Sequence, residues 1–124
     1  MRILLVDDQA FIKHIYSTEL KKHGHVVVCA ESGTEALKII LMSNVDVILL
    51  DVIMPGLNGF ETCVKLKANP KTKNIPVIFL TANADKETIK SAIKAGASDF
   101  VVKGPDCTKL LEKFDKLFPD KKTE

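Results

Sequence analysis

The stretch Val47-Ile48-Leu49-Leu50-Asp51-Val52-Ile53-Met54-Pro55-Gly56 decides the fold of this chain. Four apolar residues follow one another without a polar break and end at a carboxylate, and a turn marked by proline and glycine comes next. An apolar run of this kind indicates a strand covered on both faces, as in a parallel sheet. Asp51 then lies where the strand leaves the core, at the edge where open α/β sheets bind ligands.

Similar apolar runs lie on both sides of this stretch, and helical patterns separate them. With the central strand at 45–50, the other strands are predicted at 2–6, 26–30, 77–80 and 99–102. Apolar residues at spacings of three and four predict helices at about 9–23, 32–42, 59–68 and 85–95, and a last one that ends at Pro119. Five β-α units imply an α/β fold with one five-stranded parallel sheet, right-handed crossovers and helices on both faces.

The same spacing groups side chains on neighbouring turns of every helix, and we expect these groups to face inward on the second, fourth and fifth helices. In chain order these are Phe11, Ile12, Ile15, Tyr16 and Leu20; Ala36, Leu37, Ile40 and Leu41; Phe60, Cys63, Val64 and Lys67; Ile89, Ala92 and Ile93; and Leu110, Leu111, Phe114, Leu117 and Phe118. Ser32-Gly33-Thr34-Glu35 has the form of a capping box at the start of the second helix.

The composition fits one globular domain, which we place at 1–119 and follow with a polar tail at 120–124. The net charge of +2 is too small to indicate nucleic-acid binding. No apolar run reaches membrane-spanning length, and the start is too short and too acidic for a signal peptide, so we predict a cytoplasmic protein with no membrane segment. Cys29, Cys63 and Cys107 are interpreted as reduced thiols that act as small apolar filler. The three histidines, His14, His23 and His25, are expected at the surface.

Polar residues follow four of the predicted strands directly. They are Asp7 and Asp8, Asp51, Thr81 and Lys103. Strands often end in solvated loops, but arbitrary polar residues would not give three acids, one hydroxyl and one amine at the same edge of the sheet.

Three neighbouring carboxylates repel one another, so either one takes a proton or a cation lies among them. A hard-oxygen ligand set favours Mg²⁺ over zinc. A metal beside a carboxylate, a lysine and a threonine suits phosphoryl transfer. In this interpretation Asp51 is the nucleophile, Asp7 and Asp8 hold the metal, and Lys103 and Thr81 stabilise the phosphoryl oxygens.

The chain resembles the response-regulator receiver domains of the CheY-like kind along nearly its whole length. The resemblance is carried by Leu5-Val6-Asp7-Asp8, by the stretch from Asp51 to Glu61, by Thr81-Ala82, and by Ala95-Gly96-Ala97-Ser98-Asp99-Phe100 leading to Lys103. It implies the flavodoxin-like strand order 2-1-3-4-5. It also implies a signalling switch rather than an enzyme for other substrates, with a phosphoryl group accepted on Asp51 from a histidine kinase or a histidine phosphotransfer protein, or from acetyl phosphate.

The resemblance further implies roles for individual residues. Mg²⁺, for which Mn²⁺ could substitute, would be held by Asp8, Asp51 and the Ile53 carbonyl, with Asp7 acting mostly through water. Thr81 and Phe100 would form a switch that repositions the fourth helix, fifth strand and fifth helix for an output partner, a fused effector domain or a phosphorylation-dependent dimer.

Two features depart from the usual family pattern, and two further positions vary within it. The switch aromatic is Phe100, which lacks the hydroxyl of the commoner tyrosine, so partner contacts through that group are not expected. Gly104 separates Lys103 from Pro105, where proline usually follows the lysine directly, so no cis bond is expected at Lys103. Ile53 and Asn83 occupy the positions that tune hydrolysis, and we expect a moderate phosphoryl lifetime of more than a few seconds.

Two other functions stay open at this point. One is a Mg²⁺-dependent aspartyl-phosphate phosphatase, although Ile53 stands where the dehalogenase-like class has its second aspartate. The other is a binding scaffold that is not phosphorylated. Lys86, Lys90 and Lys94 recur every four residues, which indicates either a solvated face or a docking stripe for an acidic partner.

Overall fold

In the part of the chain that the structure describes, five short strands alternate with five helices. The structure is a computed structural model that describes residues 1–82, 85–104 and 107–119. The elements are β1 (Arg2–Val6), α1 (Ala10–Lys22), β2 (Val26–Ala30), α2 (Gly33–Ile40), β3 (Val47–Asp51), α3 (Gly59–Ala68), β4 (Val77–Thr81), α4 (Lys86–Ala95), β5 (Asp99–Val102) and α5 (Thr108–Leu117).

The strands form one sheet in the order β2-β1-β3-β4-β5, and all neighbouring strands run parallel. This confirms both the fold class and the strand order. β3 and β4 lie in the interior of the sheet and are buried along their whole length, which is why their sequences are apolar without alternation. Since all strands are parallel, their carboxyl ends meet at one edge of the sheet.

Helices cover the two faces of the sheet and create two apolar clusters. Ile48 and Leu50 of β3 belong to the cluster beneath α2, α3 and α4, while Val47 and Leu49 belong to the cluster beneath α1 and α5. Successive strand residues point to opposite faces, so one strand serves both clusters. Tyr16 of α1 is a fully enclosed member of the second cluster.

The inward faces predicted for the helices are too wide. The predicted inward residues Leu41, Ile93 and Leu117 are in fact exposed, and so are two members of the periodic sets on the first and third helices, Phe11 and Val64. A helix buries only a stripe of its surface against a sheet, and residues at the margin of that stripe face solvent. Leu41 has a further reason, because α2 ends at Ile40 and Leu41 is its C-cap. The central strand also begins at Val47 rather than at residue 45.

The predicted capping box of α2 forms only in half. Ser32 Oγ accepts a hydrogen bond from the Glu35 N–H at 3.1 Å, but the Glu35 carboxylate accepts from the Glu31 N–H. A complete capping box is present at α3 instead. There the Asn58 side chain accepts from the Glu61 N–H at 2.9 Å, and the Glu61 carboxylate accepts from the Asn58 N–H at 3.1 Å. The Asn-x-x-Glu spacing was a signal for it in the sequence.

His25 is buried, so the prediction of a surface position is wrong for this histidine. Its Nδ1 lies 3.0 Å from the amino group of Met1, and its ring meets the Phe114 ring edge-on at a centroid distance of 5.6 Å. Burial, followed by the charge of the Met1 ammonium and that of His23, lowers the pKa of His25 below its ordinary value. Its neighbour Gly24 lies in a turn, but a position next to a turn glycine does not by itself place a side chain at the surface.

The three cysteines are free thiols, as predicted. Cys63 and Cys107 are buried, but Cys29 is exposed on β2, so it does not act as filler. None of the described helices combines the length and the apolar character that crossing a membrane requires. The predicted polar tail at 120–124 lies outside the described residues.

Candidate functional site

The residues that end β1, β3, β4 and β5 come together at one edge of the sheet. Asp51 and Thr81 are the last residues of β3 and β4, while Asp7 and Lys103 directly follow β1 and β5. Asp8, Asp51, Thr81 and Lys103 line a single cleft of about 380 Å³, which Thr88 of α4 also borders. The grouping predicted from the strand ends is thus confirmed as a spatial grouping.

Asp7, Asp8 and Asp51 form an acidic cluster within this edge. Each offers a carboxylate oxygen, and these three oxygens lie within 4.8 Å of one another. Asp7 and Asp51 are buried, whereas Asp8 is exposed. A group with one solvent-facing and two enclosed carboxylates is open to an incoming ion on one side only.

Lys103 lies between two of these acids. Its Nζ is 2.9 Å from Asp7 Oδ2 and 3.1 Å from Asp51 Oδ1. The backbone N–H of Lys103 donates to the Thr81 carbonyl oxygen at 2.7 Å, which attaches the residue to the end of β4. The lysine therefore neutralises part of the acidic cluster from within the protein.

Asp7 has one oxygen that is satisfied and one that is not. Its Oδ1 accepts a hydrogen bond from the Gln9 N–H at 2.9 Å. Its Oδ2 is buried, and among the described residues its one charged partner is the Lys103 ammonium, whose Nζ lies 2.9 Å away. An enclosed carboxylate oxygen of this kind is costly unless a cation or water completes its surroundings. Together with the three hard oxygen donors, it fits a divalent cation such as Mg²⁺.

Both partners in the Asp51–Lys103 pair titrate away from their ordinary ranges. Burial, followed by the negative charge of Asp7, raises the pKa of Asp51, and Lys103 opposes this only in part. Burial alone would lower the pKa of Lys103, but its contact with Asp7 and the charge of Asp51 outweigh burial and raise that pKa. The lysine therefore stays protonated, whereas the surroundings of Asp51 disfavour its charged form.

The loop after β3 brings α3 close to Asp51. The N–H of Gly59 donates to the Val52 carbonyl oxygen at 2.9 Å, which turns the chain sharply into the helix. A Cβ atom at Gly59 would lie 2.1 Å from the Asp51 carbonyl oxygen, so only glycine fits there. The position of Asp51 thus depends on a close approach of helix and strand.

The other predicted site residues have more varied surroundings. Thr81 is buried at the cleft, and the Ile53 side chain is largely exposed at its rim. Phe100 of β5 is half-buried and packs against the cluster beneath α4, and it pairs in register with Phe79 of β4. Asn83 lies outside the described residues. Across the described residues every peptide bond is trans, the one following Lys103 included, as predicted.

Three contributors to the site were not predicted. Thr88 borders the cleft, Gln9 donates to Asp7, and Tyr16 of α1 meets the loop after Lys103. Nothing in the sequence pattern singles out Thr88 or Tyr16, because their role depends on how helices lie over the sheet. A larger cleft of about 470 Å³, lined by residues 40–45 together with Lys71 and Ile75, lies near the opposite edge of the sheet and contains no carboxylate.

Comparisons with known proteins agree with this geometry. A family model described as the response regulator receiver domain matches residues 3–115. The protein PilH of Pseudomonas aeruginosa is 39% identical over 112 residues, which are 90% of this chain and 92% of PilH. The response regulator TrrA of Thermotoga maritima, solved in complex with Mg²⁺-BeF, is 37% identical with a TM-score of 0.84 and covers 94% of this chain and 98% of its own.

A second solved structure is similar over nearly its whole length, whereas most of the curated relatives are much longer than this chain. The chemotaxis protein CheY4 of Vibrio cholerae has a TM-score of 0.89 at 30% identity and covers 94% of this chain and 98% of its own. Apart from PilH, the curated relatives considered are longer, and this chain spans only 26% to 45% of their length. They include probable transcriptional regulators and the response regulator PleD of Caulobacter vibrioides.

Proposed function

The chain belongs to the response regulator receiver domain family, and from this premise we propose that it accepts a phosphoryl group from a phosphohistidine onto Asp51. Family membership supports a phospho-accepting function in two-component signalling. The residue assignment rests on one observation: Lys103 lies 3.1 Å from the Asp51 carboxylate, and Thr81 lines the same cleft. We assign the receiver to residues 1–119 and retain a cytoplasmic location as a prediction.

The transfer itself needs positioning rather than covalent help from other side chains. One carboxylate oxygen of Asp51 attacks phosphorus and forms a new P–O bond. The bond from phosphorus to the donor's imidazole nitrogen breaks, and its electron pair leaves with the imidazole. Lys103 and Thr81 face the phosphoryl oxygens, where the ammonium balances negative charge and the hydroxyl donates a hydrogen bond.

Asp8 and Asp51, with the Ile53 carbonyl, would hold Mg²⁺ in this proposal, and Asp7 would act through water. Asp8 is the exposed member of the acidic cluster and faces the direction from which an ion arrives. The ion would supply charge neutralisation for the phosphoryl oxygens. Mn²⁺ has the same preference for oxygen ligands and is expected to substitute.

The proposed output is a change in the surface formed by α4, β5 and α5. A phosphoryl group brings roughly −1.5 to −2 charges to the end of β3, close to Thr81. Thr81 would move toward it, and the half-buried Phe100 ring would turn into the space that Thr81 leaves. An output partner, a fused effector domain or a second receiver would then recognise the altered surface. No direct contact with nucleic acid is assigned to this domain.

The lifetime of the acyl phosphate is expected to be moderate. The exposed Ile53 side chain at the cleft has no polar atom with which to orient an attacking water. Asn83, the other residue assigned to hydrolysis, has an amide that could do so. We therefore retain the expectation of a half-life of more than a few seconds for the isolated domain.

Incubation with acetyl phosphate and Mg²⁺ tests the proposal directly. Intact-mass measurement should show the gain of one phosphoryl group, and the Asp51→Asn variant should not gain it. Turnover of a small phosphate ester would instead favour a phosphatase. No transfer, either from acetyl phosphate or from a phosphorylated histidine protein, would reduce the chain to a binding scaffold.

A further inference from the structure

Tyr16 connects α1 with the loop that carries Lys103. Its side chain is only 1% exposed, and its hydroxyl accepts a hydrogen bond from the backbone N–H of Gly104 at 3.3 Å. Gly104 directly follows Lys103, so this bond fixes the backbone beside the lysine. The thiol of Cys107 approaches the Tyr16 carbonyl oxygen at 4.0 Å, which attaches the far end of the same loop to the same residue.

These contacts hold the Lys103 backbone from two directions. The Lys103 N–H is bonded to Thr81 of β4 at 2.7 Å, and the next N–H along the chain is bonded to α1 through Tyr16. A lysine side chain is long and flexible, so its ammonium remains near two carboxylates only if its backbone is fixed. The ion pairs with Asp7 and Asp51, at 2.9 and 3.1 Å, depend on that fixed starting point.

We propose that Tyr16 is a positioning residue, whose hydroxyl holds the Gly104 N–H and thereby keeps the Lys103 ammonium between Asp7 and Asp51. This inference rests on the proposed function of Asp51. Tyr16 touches none of the reacting groups and acts only through the loop. The donor is the backbone N–H of residue 104, which a proline in that place would lack.

The proposal makes two properties of the site move in opposite directions. The Lys103 ammonium pairs with Asp7 and Asp51, two of the carboxylates that would attract Mg²⁺, so a loosely held lysine competes less with the ion. The same loosening removes a well-placed charge from the phosphoryl oxygens and slows the transfer. General damage to the fold would weaken metal binding and transfer together.

The Tyr16→Phe variant tests this pairing with a change of one hydroxyl group. We expect Mg²⁺ to bind roughly 2- to 5-fold more tightly in calorimetric titration, and phosphorylation by acetyl phosphate at saturating Mg²⁺ to be roughly 2- to 10-fold slower, which corresponds to the loss of one ordinary hydrogen bond. The amide resonance of Gly104 should also move in the NMR spectrum before any metal is added.

Thr72→Val is the matched control. Thr72 is buried, and its hydroxyl donates to the Leu66 carbonyl oxygen at 2.6 Å, away from the strand ends that form the site. The variant removes a buried hydroxyl and should lower thermal stability. Its Mg²⁺ affinity, its phosphorylation rate and its Gly104 resonance should match those of the wild type.

A second pair of variants removes the donor instead of the acceptor. Gly104→Pro deletes the N–H, while Gly104→Ala retains it, so phosphorylation should be slower in the proline variant than in the alanine variant. Adding Tyr16→Phe to Gly104→Pro should slow phosphorylation less than Tyr16→Phe does in the wild type, because the bond to Gly104 is already absent.

The outcomes separate this inference from the proposed function. A wild-type chain that is phosphorylated on Asp51, together with a Tyr16→Phe variant that matches it in both measurements, would overturn the role of Tyr16 alone. Loss of Mg²⁺ affinity and of transfer together would assign Tyr16 a merely structural role and also overturn it. A wild-type chain that no phosphodonor modifies would refute the proposed function, and the Mg²⁺ and amide measurements would still decide whether Tyr16 holds the lysine.

Discussion

Asp51 is ionised at neutral pH against the influence of its surroundings. Burial and the charge of Asp7 raise its pKa above the ordinary 3.8, so the folded chain binds this proton more tightly than the unfolded chain. The ionised side chain therefore lowers stability at neutral pH, and this penalty disappears as the pH falls below the ordinary value. Asp51→Asn should therefore raise the free energy of unfolding in urea titrations at neutral pH with chelator present.

Asp115→Asn on the exposed side of α5 is the control for the Asp51→Asn measurement. It removes the same charge from a solvated position and should change stability little. An Asp51→Asn variant that is less stable than the wild type at neutral pH would contradict the charge penalty inferred for Asp51.

His25 should make the stability of the chain depend on pH. Its lowered pKa means that the unfolded chain binds more protons than the folded chain as the pH falls through the ordinary value of 6.5. Stability therefore decreases in that range. We expect the thermal midpoint of the wild type to fall more steeply from about pH 7.5 to about pH 5.5 than that of His25→Gln. His14→Gln, which alters an exposed histidine of α1, should keep the steep profile.

At the scale of single residues, the sequence predicted the members of the site but not their pairings. Asp51, Thr81 and Lys103 could be identified because each follows an apolar run, and parallel strands bring such residues together. The ion pair from Lys103 to the buried Asp7 depends on side-chain directions, which apolar spacing does not encode. For the same reason the burial of His25 was not predicted, because Met1 and Phe114, which contact its ring, are distant from it in the sequence.

The junction of β3 and α3 is the element-scale feature that places Asp51. Gly59 is the first residue of α3, and an added Cβ there would collide with the Asp51 backbone. Gly59→Ala should lower the free energy of unfolding by about 1 to 3 kcal/mol, because backbone atoms must move to relieve the overlap. It should also slow phosphorylation of Asp51, and urea unfolding and intact-mass kinetics would measure the two effects.

Gly56 offers a contrasting position in the same loop. A Cβ there would meet no atom within 4 Å, but its φ of +75° disfavours other residues. Gly56→Ala should cost about 1 kcal/mol through backbone strain alone. Equal losses of phosphorylation in the two variants would argue against a special role for the close approach at Gly59.

At the scale of elements, all ten strands and helices were predicted, and their exposed margins were not. Periodicity finds the centre of a buried stripe, as with Ala92 on α4, but it does not give the width of that stripe, and Ile93 is exposed. The capping boxes show a related limit. Ser32 and Asn58 both precede a glutamate by three residues, and only at α3 does the glutamate return to the cap residue.

Divalent cations should stabilise the whole molecule and not only the strand ends. A ligand that binds the folded chain alone raises the free energy of unfolding by about 2.7 kcal/mol at a hundred times its dissociation constant. Mg²⁺ should therefore raise the midpoint of a single cooperative unfolding transition, and chelator should reverse the shift. Asp51→Asn should show a much smaller rise, and an equal rise in both proteins would place the metal elsewhere.

The architecture of the whole molecule was the most accessible property of the sequence. Alternating apolar runs and helical patterns, with short connections, permit few topologies other than a parallel sheet covered on both faces. The strand order could be predicted only from the family resemblance, because the apolar character of β1 and β3 does not indicate which strands pair with them. That β1 pairs with both β2 and β3 is seen only in the structure.

The acidic cluster and Lys103 together carry three formal negative charges and one positive charge, which leaves −2 at the strand ends. A dianionic phosphodonor that reaches this edge before a divalent cation meets repulsion, whereas one that arrives afterwards meets a neutral surface. A bound cation should therefore favour the approach of the donor, and the rate of phosphorylation should rise with the magnesium concentration until the site is filled.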